Sequence, residues 1–367
     1  MIFAFGTYEA ARHPRIGILI DGLRVHGYDV AELNHPLGIS TAERVRMLKE
    51  PWRLPVLAWR LLKSWSLLGR DVRALKRRGL RPSAVVVGYM GHFDVLLARV
   101  LFRGVPIVLD HLLFAGDTAR DRGTGGLKAF VLSALDRTAL RCASIALVDT
   151  EEHLQMLPQG TRGVVVPVGA RAEWFDAATE ASTDDGLSIV FFGMFTPLQG
   201  AAIIAEALEV VLQSAAQLHV TMIGSGQDSA EVHRRLDRFA AVTWHSWVDP
   251  HELPSIVAAH DLCLGIFADT PKAMRVVPNK VYEGIAAGCA VITSDTAPQR
   301  RTVGDIVALV PAADPQALAR EITRLAEHPA AVNELRARSR AAAEQFSATQ
   351  VVLPLLTVLR LEPRRQA

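Results

Sequence analysis

Three cations, Lys272, Arg275 and Lys280, fall within nine residues of one another. They lie in the segment ADTPKAMRVVPNKVYEGIAAGCAVITSD, residues 268–295, beside a helix start expected near Pro278 and Asn279. A helix N-terminus carries unsatisfied amides and the positive end of the peptide dipole, so cations placed there suit a diphosphate. Glu283 follows Lys280 by three residues, about one helical turn, and its carboxylate can accept two hydrogen bonds from a ribose. The plainer alternative is a solvated charged loop.

Two glycine-bearing loops accompany this block. FFGMFTPLQG, residues 191–200, carries Gly193, Thr196 and Gly200, and MIGSG, residues 222–226, carries Gly224 and Gly226. Each follows an apolar run, where backbone amides can cradle phosphate without a Walker or G-x-G-x-x-G motif. Glycines required only by turns would account for them as well. In the first half of the chain, Gly6-Thr7 precedes HPRIG, residues 13–17. There His13, Arg15 and Gly17 sit at a helix start that can hold an anion or a sugar hydroxyl, or serve as an ordinary crossover. PIVLDHLLFAGDTARDR, residues 106–122, contributes Asp110, His111, Asp117 and Arg122. Asp110 capping a turn and His111 half-buried is the structural alternative.

No metal or cofactor is expected. Cys142, Cys263 and Cys289 form no C-x-x-C pair, His92, His111 and His153 have no ligand spacing, and no D-x-D occurs. The cysteines lie in apolar surroundings and read as reduced core residues.

The elements that must position these groups alternate along the chain. Apolar runs at 2–6, 29–33, 84–88, 106–110, 144–149 and 163–168 read as strands, with helical patterns at 16–27, 92–104 and 127–142 between them. After an acidic, aperiodic stretch at 170–186, strands resume at 187–193, 218–224, 242–248, 261–267, 290–294 and 307–310. Near-continuous β-branched runs alternating with helices indicate buried parallel strands. Asp249-Pro250-His251-Glu252 and Asp314-Pro315 read as helix starts, and Gly288 as a helix end. The expected fold is α/β: two tandem Rossmann-like, doubly wound domains facing a cleft, at 1–169 and 187–345. Residues 170–186 would be the linker, and 346–367 a terminal segment packing back on the first domain. In such sheets ligands bind beyond the carboxyl ends of the strands.

Composition narrows the partners. Forty Lys+Arg against 38 Asp+Glu leave +2 over 367 residues, which excludes a generally basic nucleic-acid binder. The charge is unevenly spread: residues 51–82 hold nine Lys+Arg, one acid and three of the six tryptophans (Trp52, Trp59 and Trp65). Leu54, Leu57, Leu61, Leu62, Trp65, Leu68, Val72 and Leu75 keep helical spacing there. That pattern fits a core helix with a solvated basic face, or one meeting an anionic membrane surface or a lipid-linked or polyanionic acceptor. No apolar run reaches the ~18 residues of a membrane span, and MIFAFG lacks the basic start of a secretory leader. A cytoplasmic protein, peripheral at the inner face of a membrane, is the expectation.

The second half resembles the donor-binding domain of retaining GT-B glycosyltransferases of the family 4, or group 1, type. EGIAAGCAVITSD matches the end of their E-x7-E segment, LSIVFFGMFTPLQG their strand and glycine loop, and VTMIGSGQDS their I-G-x-G loop. FGTY, HPRIG and GLRVHGYDV are similar to the start of their first domain. The resemblance implies a nucleotide-diphosphate sugar as co-substrate, metal-independent transfer with retention, and an acceptor on the first domain. That acceptor is not identified; a lipid-linked or cell-envelope glycan or a secondary metabolite fits. It also implies that Trp247 and Val248 flank the base, that Glu283 holds the ribose, and that His111, with Asp110, lies near the donor sugar. The chain departs from the family where Arg275 replaces the first Glu of E-x7-E and Met194 and Gln199 replace the Arg and Lys of the glycine loop. Lys272, Arg275 and Lys280 restore that charge, and GMFTPLQG with DTPKAMRVVPNK resembles a subgroup of group 1 glycosyltransferases. The competing functions are a GT-B-fold sugar-nucleotide epimerase, for which no carboxylate pair is found, and a non-catalytic nucleotide-sugar-binding partner subunit.

Overall fold

The β-branched runs form two separate parallel sheets. The computed structural model describes residues 1–9, 13–39, 52, 54–121, 126–178, 186–214 and 217–360. β1 (Ile2–Gly6), β2 (Val30–Asn34), β3 (Ala84–Val87), β4 (Ile107–Asp110), β5 (Ile145–Val148) and β6 (Gly163–Val165) make the first, in the order β2-β1-β3-β4-β5-β6. β7 (Leu187–Phe192), β8 (Leu218–Ile223), β9 (Val242–His245), β10 (Leu262–Leu264), β11 (Ala290–Ser294) and β12 (Ala308–Val310) make the second, in the order β12-β11-β10-β7-β8-β9. In both sheets the chain starts near the middle and reverses direction, as at β1, which pairs Ile2 with Val30 on one side and with Ala84 on the other. The inner strands are buried on both faces, which is why their sequences read as continuous apolar runs.

Three expected strands end three residues early. Those read to Val168, Val248 and Phe267 stop at Val165, His245 and Leu264. At β10 the cause is visible: Phe267 N–H donates to the Gln199 carbonyl at 3.2 Å, so the chain leaves the sheet to pack on the loop after β7. The Asp314 cap holds, its carboxylate accepting from Ala317 N–H at 2.8 Å. The start at Asp249 does not: the helix runs Leu253–Ala258, and Asp249 accepts instead from His251 N–H within a turn.

The first unit comprises Met1–Asp149 and His153–Val166, and regains the chain from Val352 onward. Val352, Leu355 and Leu356 are buried among Ile2, Ile16, Leu19 and Val108 of its core. The second unit comprises Thr150–Glu152 and Pro167–Val351. The linker expected at 170–186 is therefore corrected. Ala172–Asp176 is helical, and Trp174 is buried in the second unit, stacked on Phe192 at 5.5 Å between ring centroids. Burying one indole outweighs the polar, aperiodic look of its neighbours. Residues 179–185 of that stretch lie outside the described residues.

Among the described residues no single helix is long and apolar enough to cross a membrane. The basic segment forms one helix, Leu54–Arg77. Its inner face carries Leu68 and Val72, and Trp65 is tethered there by donating to Asp94 Oδ1 at 2.8 Å. Trp52 and Trp59 are exposed. Pro51 and Arg53 lie outside the described residues.

Candidate functional site

In the second unit, the loops after β7, β8 and β9 and the segment after β10 leave the sheet at one edge, because the strands are parallel. The helix Asn279–Ala286, with Pro278 as its N-cap, starts at that segment. Lys280 lies in its first turn and is only 5% exposed. Its ammonium sits 3.7 Å from the Phe191 ring centroid and has no hydrogen-bond partner. A Cβ on Gly193 would lie 3.2 Å from Nζ, so glycine at the end of β7 leaves the ammonium room. Burial pulls the Lys280 pKa down to about 7. A lone buried ammonium is costly, and an anion is the partner that would offset that cost.

Glu283 stands one turn further along the helix. Part of its surface remains accessible, yet its surroundings are apolar enough to push the carboxyl up to about 7, with Lys280 pulling the other way. Near neutrality it is thus half protonated and can donate as well as accept a hydrogen bond. Lys272 and Arg275, both half-buried, flank the 3-10 turn Ala273–Arg275. The Arg275 carbonyl is fixed by the Thr150 hydroxyl at 2.7 Å. Asn279 is exposed at the start of its helix.

The glycine loops are positioned differently from the sequence expectation. Gly193, Gly224 and Gly226 do not offer their amides to a ligand: they donate to Ile223 O, His245 O and Ser229 Oγ at 2.9, 2.7 and 2.8 Å. What requires glycine is close packing of the two loops. A Cβ on Gly224 would meet Gly193 O at 1.9 Å, and one on Gly226 would meet Phe195 O at 2.2 Å. Gly200, in the left-handed region at φ 69°, caps the helix Ala201–Gln213 and lies against Ala268 N. Thr196 opens the short turn Pro197–Gln199, and the buried Gln199 Oε1 has no partner. Beyond β9, Trp247 is 71% exposed, while Val248 packs on the core.

In the first unit the ends of β4 and β5 collect titratable groups. Asp110 is buried and receives Arg15 Nε at 3.1 Å. Burial raises its carboxyl, with Arg15 opposing, and Oδ2 has no partner. His111 is 1% exposed, neither ring nitrogen has a partner, and burial together with the neighbouring His92 pulls its pKa down to about 3. Its ring packs on Phe114 at 4.6 Å and on His92 at 5.1 Å. A neutral imidazole in that setting offers one donor and one acceptor.

The fold also gathers residues that no spacing revealed. One ligand atom from each of His92, His111 and Asp136 lies within 4.8 Å of the others, although their spacing along the chain gives no sign of it. Asp136 is already engaged: it pairs with His92 Nε2 at 2.9 Å and accepts from the amides of Ala115 and Gly116 at 3.0 Å each. Burial opposes its ionisation, but these donors prevail and hold the carboxyl below its ordinary value. His153 pairs with Asp149 at 2.5 Å nearby. His92 and Asp136 are 44 residues apart, so only tertiary structure brings them together.

The residues expected on the acceptor side are mostly committed to the fold. The Thr7 amide and hydroxyl both donate to Asp94 Oδ2 at 2.8 Å. Arg15 is the partner of Asp110, His13 stacks on Tyr89 at 4.3 Å, and Gly17 lies inside the helix Pro14–Val25. Asp117 is half-buried in the first turn of the helix Ala115–Asp121, and Arg122 lies outside the described residues.

Residues 186–328, most of the second unit, match the family model of group 1 glycosyl transferases. The whole chain has the GT-B fold of solved glycosyltransferases. The fold is shared with sucrose-phosphate synthase from Thermosynechococcus elongatus, at 15% identity and TM-score 0.69, over 98% of this chain and 97% of the other. Anabaena Alr3699/HepE, solved with UDP and glucose, is similar at 14% identity and TM-score 0.64, over 98% of each chain. The pneumococcal O-GlcNAc transferase GtfA, solved with UDP and GlcNAc, aligns at 14% identity and TM-score 0.56, over 80% of this chain and 59% of its own. No curated protein matches this chain in sequence.

Proposed function

We propose that this protein is a glycosyltransferase that uses a nucleotide-diphosphate sugar, in the first instance a UDP-sugar, and transfers the sugar with retention of configuration without a metal. The observation that carries the donor reading is the buried, unpartnered Lys280 ammonium beside Gly193 at the end of β7. The family's glycine-loop cations are absent here, their places taken by Met194 and Gln199, and Lys280 reaches the same loop at Gly193. UDP in the structures of HepE and GtfA supports the choice of nucleotide.

The chemistry follows from charge. As the glycosidic bond breaks, negative charge grows on the leaving diphosphate. Lys280, held by its helix, with Arg275 and Lys272 on the adjoining turn, presents fixed positive charge to that anion and lowers the barrier. Glu283 would bind the ribose, Trp247 and Val248 the base, and His111 with Asp110 the sugar. Thr196, Gly200, Pro278 and Asn279 shape the donor pocket. Cations in this role replace the charge a divalent ion would supply, which is the ground for the metal-independent reading. Retention rests on the family resemblance.

The helix Leu54–Arg77 supports a cytoplasmic protein peripheral to an anionic membrane face. Trp52, Leu54, Val56, Trp59 and Leu62 are exposed beside Lys63, Arg70, Arg73 and Arg77. Liposomes with and without anionic lipid test this, and no co-sedimentation with either would remove it. For the donor, Lys280→Ala should abolish turnover of UDP-sugar while the melting curve persists. Wild-type turnover in that variant would refute the diphosphate assignment.

A further inference from the structure

A cavity of about 440 Å³ opens in the first unit just past β2, lined by His35, Leu37, Trp59, Arg60, Lys63 and Ser64, among others. None of its lining residues is acidic. Arg60 is braced there by its Nη1, 3.0 Å from the Gly38 carbonyl. The Lys63 ammonium stands 5.5 Å from the Trp59 ring centroid, and Trp59 itself is 62% exposed. The nearby acid, Asp71, is paired with His35 Nε2 at 2.7 Å. The cavity therefore offers an accessible indole face, a braced guanidinium and an ammonium, with the Asp71 carboxylate already paired.

Its place in the sheet matters as much. All strands of the first sheet are parallel, so the cavity after β2 and the pair Asp110–His111 after β4 share the carboxyl edge. In the order β2-β1-β3-β4 three inter-strand spacings separate them, roughly 14 Å at about 4.8 Å each. A group bound in the cavity would thus belong to an extended molecule whose other end reaches the strand ends at the sheet's centre.

We propose that this cavity is a subsite for the sugar acceptor, taking a phosphate ester on Arg60 and Lys63 and a sugar ring on Trp59. Guanidinium and ammonium together bind phosphate by charge-assisted hydrogen bonds, and a flat aromatic face rimmed by cations suits the apolar face of a pyranose. The proposal rests on the glycosyltransferase reading, which makes the ligand an acceptor. The phosphate ester is either soluble, as in a sugar phosphate, or a lipid headgroup.

Calorimetric titration with UDP saturating the donor site separates the outcomes. The soluble probe is glucose 6-phosphate, with glucose as its uncharged control. The surface probe is phosphatidylcholine vesicles with and without phosphatidylglycerol. Binding of glucose 6-phosphate identifies a soluble ester, and binding only to phosphatidylglycerol vesicles identifies a lipid headgroup. In either case Lys63→Glu should weaken binding by about tenfold or more, the loss expected for one charge-assisted contact, and Trp59→Ala by up to about tenfold through loss of the aromatic face. UDP affinity should not change in either variant, which also shows that both still fold. Arg99→Glu reverses an exposed charge of the first unit outside both the cavity and the basic helix and should cost no more than about twofold. If neither phosphate probe binds, or if Arg99→Glu weakens binding as much as Lys63→Glu, the cavity is not the subsite. If phosphate probes bind as described but UDP does not, the donor assignment fails and the anion site stands.

Discussion

In the proposed donor site, raising the pH should loosen the donor's grip, because Lys280 is the buried cation assigned to the diphosphate. With its pKa pulled down to about 7 by burial, the free protein loses this proton just above neutrality. A bound diphosphate favours the ammonium and moves the pKa back toward the ordinary lysine value. Affinity should therefore be level below pH 7 and fall about tenfold per unit above it. At pH 8.5 only about one molecule in thirty carries the proton before binding. The dissociation constant should then be roughly thirtyfold weaker than its low-pH value, about 2 kcal/mol. Glu283, pushed up to about 7, acts in the same direction, since its anion forming above pH 7 repels the diphosphate. The neighbouring Cys263 thiol is pushed well up by burial and stays neutral. The assay is calorimetry with UDP-glucose from pH 6 to 8.5, in two buffers of different ionisation enthalpy. The sugar ester is chosen because its diphosphate does not titrate in that range. Near pH 8 about one proton should be taken up per donor bound, Glu283→Gln should keep most of the effect, and Lys280→Met should remove it. A level affinity with no proton uptake would refute the placement of the diphosphate on Lys280.

The same shift has a consequence for stability without donor. The folded state binds fewer protons than the unfolded chain between about pH 7 and the ordinary lysine value, so urea melts should show stability rising with pH above 7, and Lys280→Met should flatten that rise. Gly224→Ala forces a Cβ to 1.9 Å from Gly193 O at φ 128°, and should destabilise the second unit by about 2–3 kcal/mol in the same melts. Arg15→Met leaves the Asp110 carboxylate buried without its partner and should cost about 3–5 kcal/mol, with partial recovery in Arg15→Met combined with Asp110→Asn. Leu355→Ala opens the first unit's core at the returning C-terminal segment, and should cost about 2–5 kcal/mol by chemical denaturation.

Much of the fold was legible in the chain itself, because a parallel strand covered on both faces must be apolar throughout. β1 and β11 end where the apolar runs 2–6 and 290–294 end. The misreadings came where a local pattern met a tertiary demand. Asp249-Pro250 has the residues of a helix start, yet the helix begins at Leu253. The stretch around Trp174 looks like a linker by composition, yet one buried indole anchors it. Gly224 and Gly226 look like a phosphate loop, yet each is glycine because the two loops touch.

The site divides in the same way. Residue type and order alone determined that cations cluster after β10, that Glu283 lies one turn beyond Lys280, and that the basic charge is concentrated in one helix. These are properties of nearest neighbours along the chain. Only the tertiary structure decided that the Lys280 ammonium is buried and unpartnered beneath Gly193, that Trp65 faces inward while Trp59 faces out, and that His92, His111 and Asp136 converge. Burial and unmet hydrogen-bonding capacity depend on what other strands and helices bring into contact, and pKa follows burial, so none of these is written in the spacing of residues along one segment.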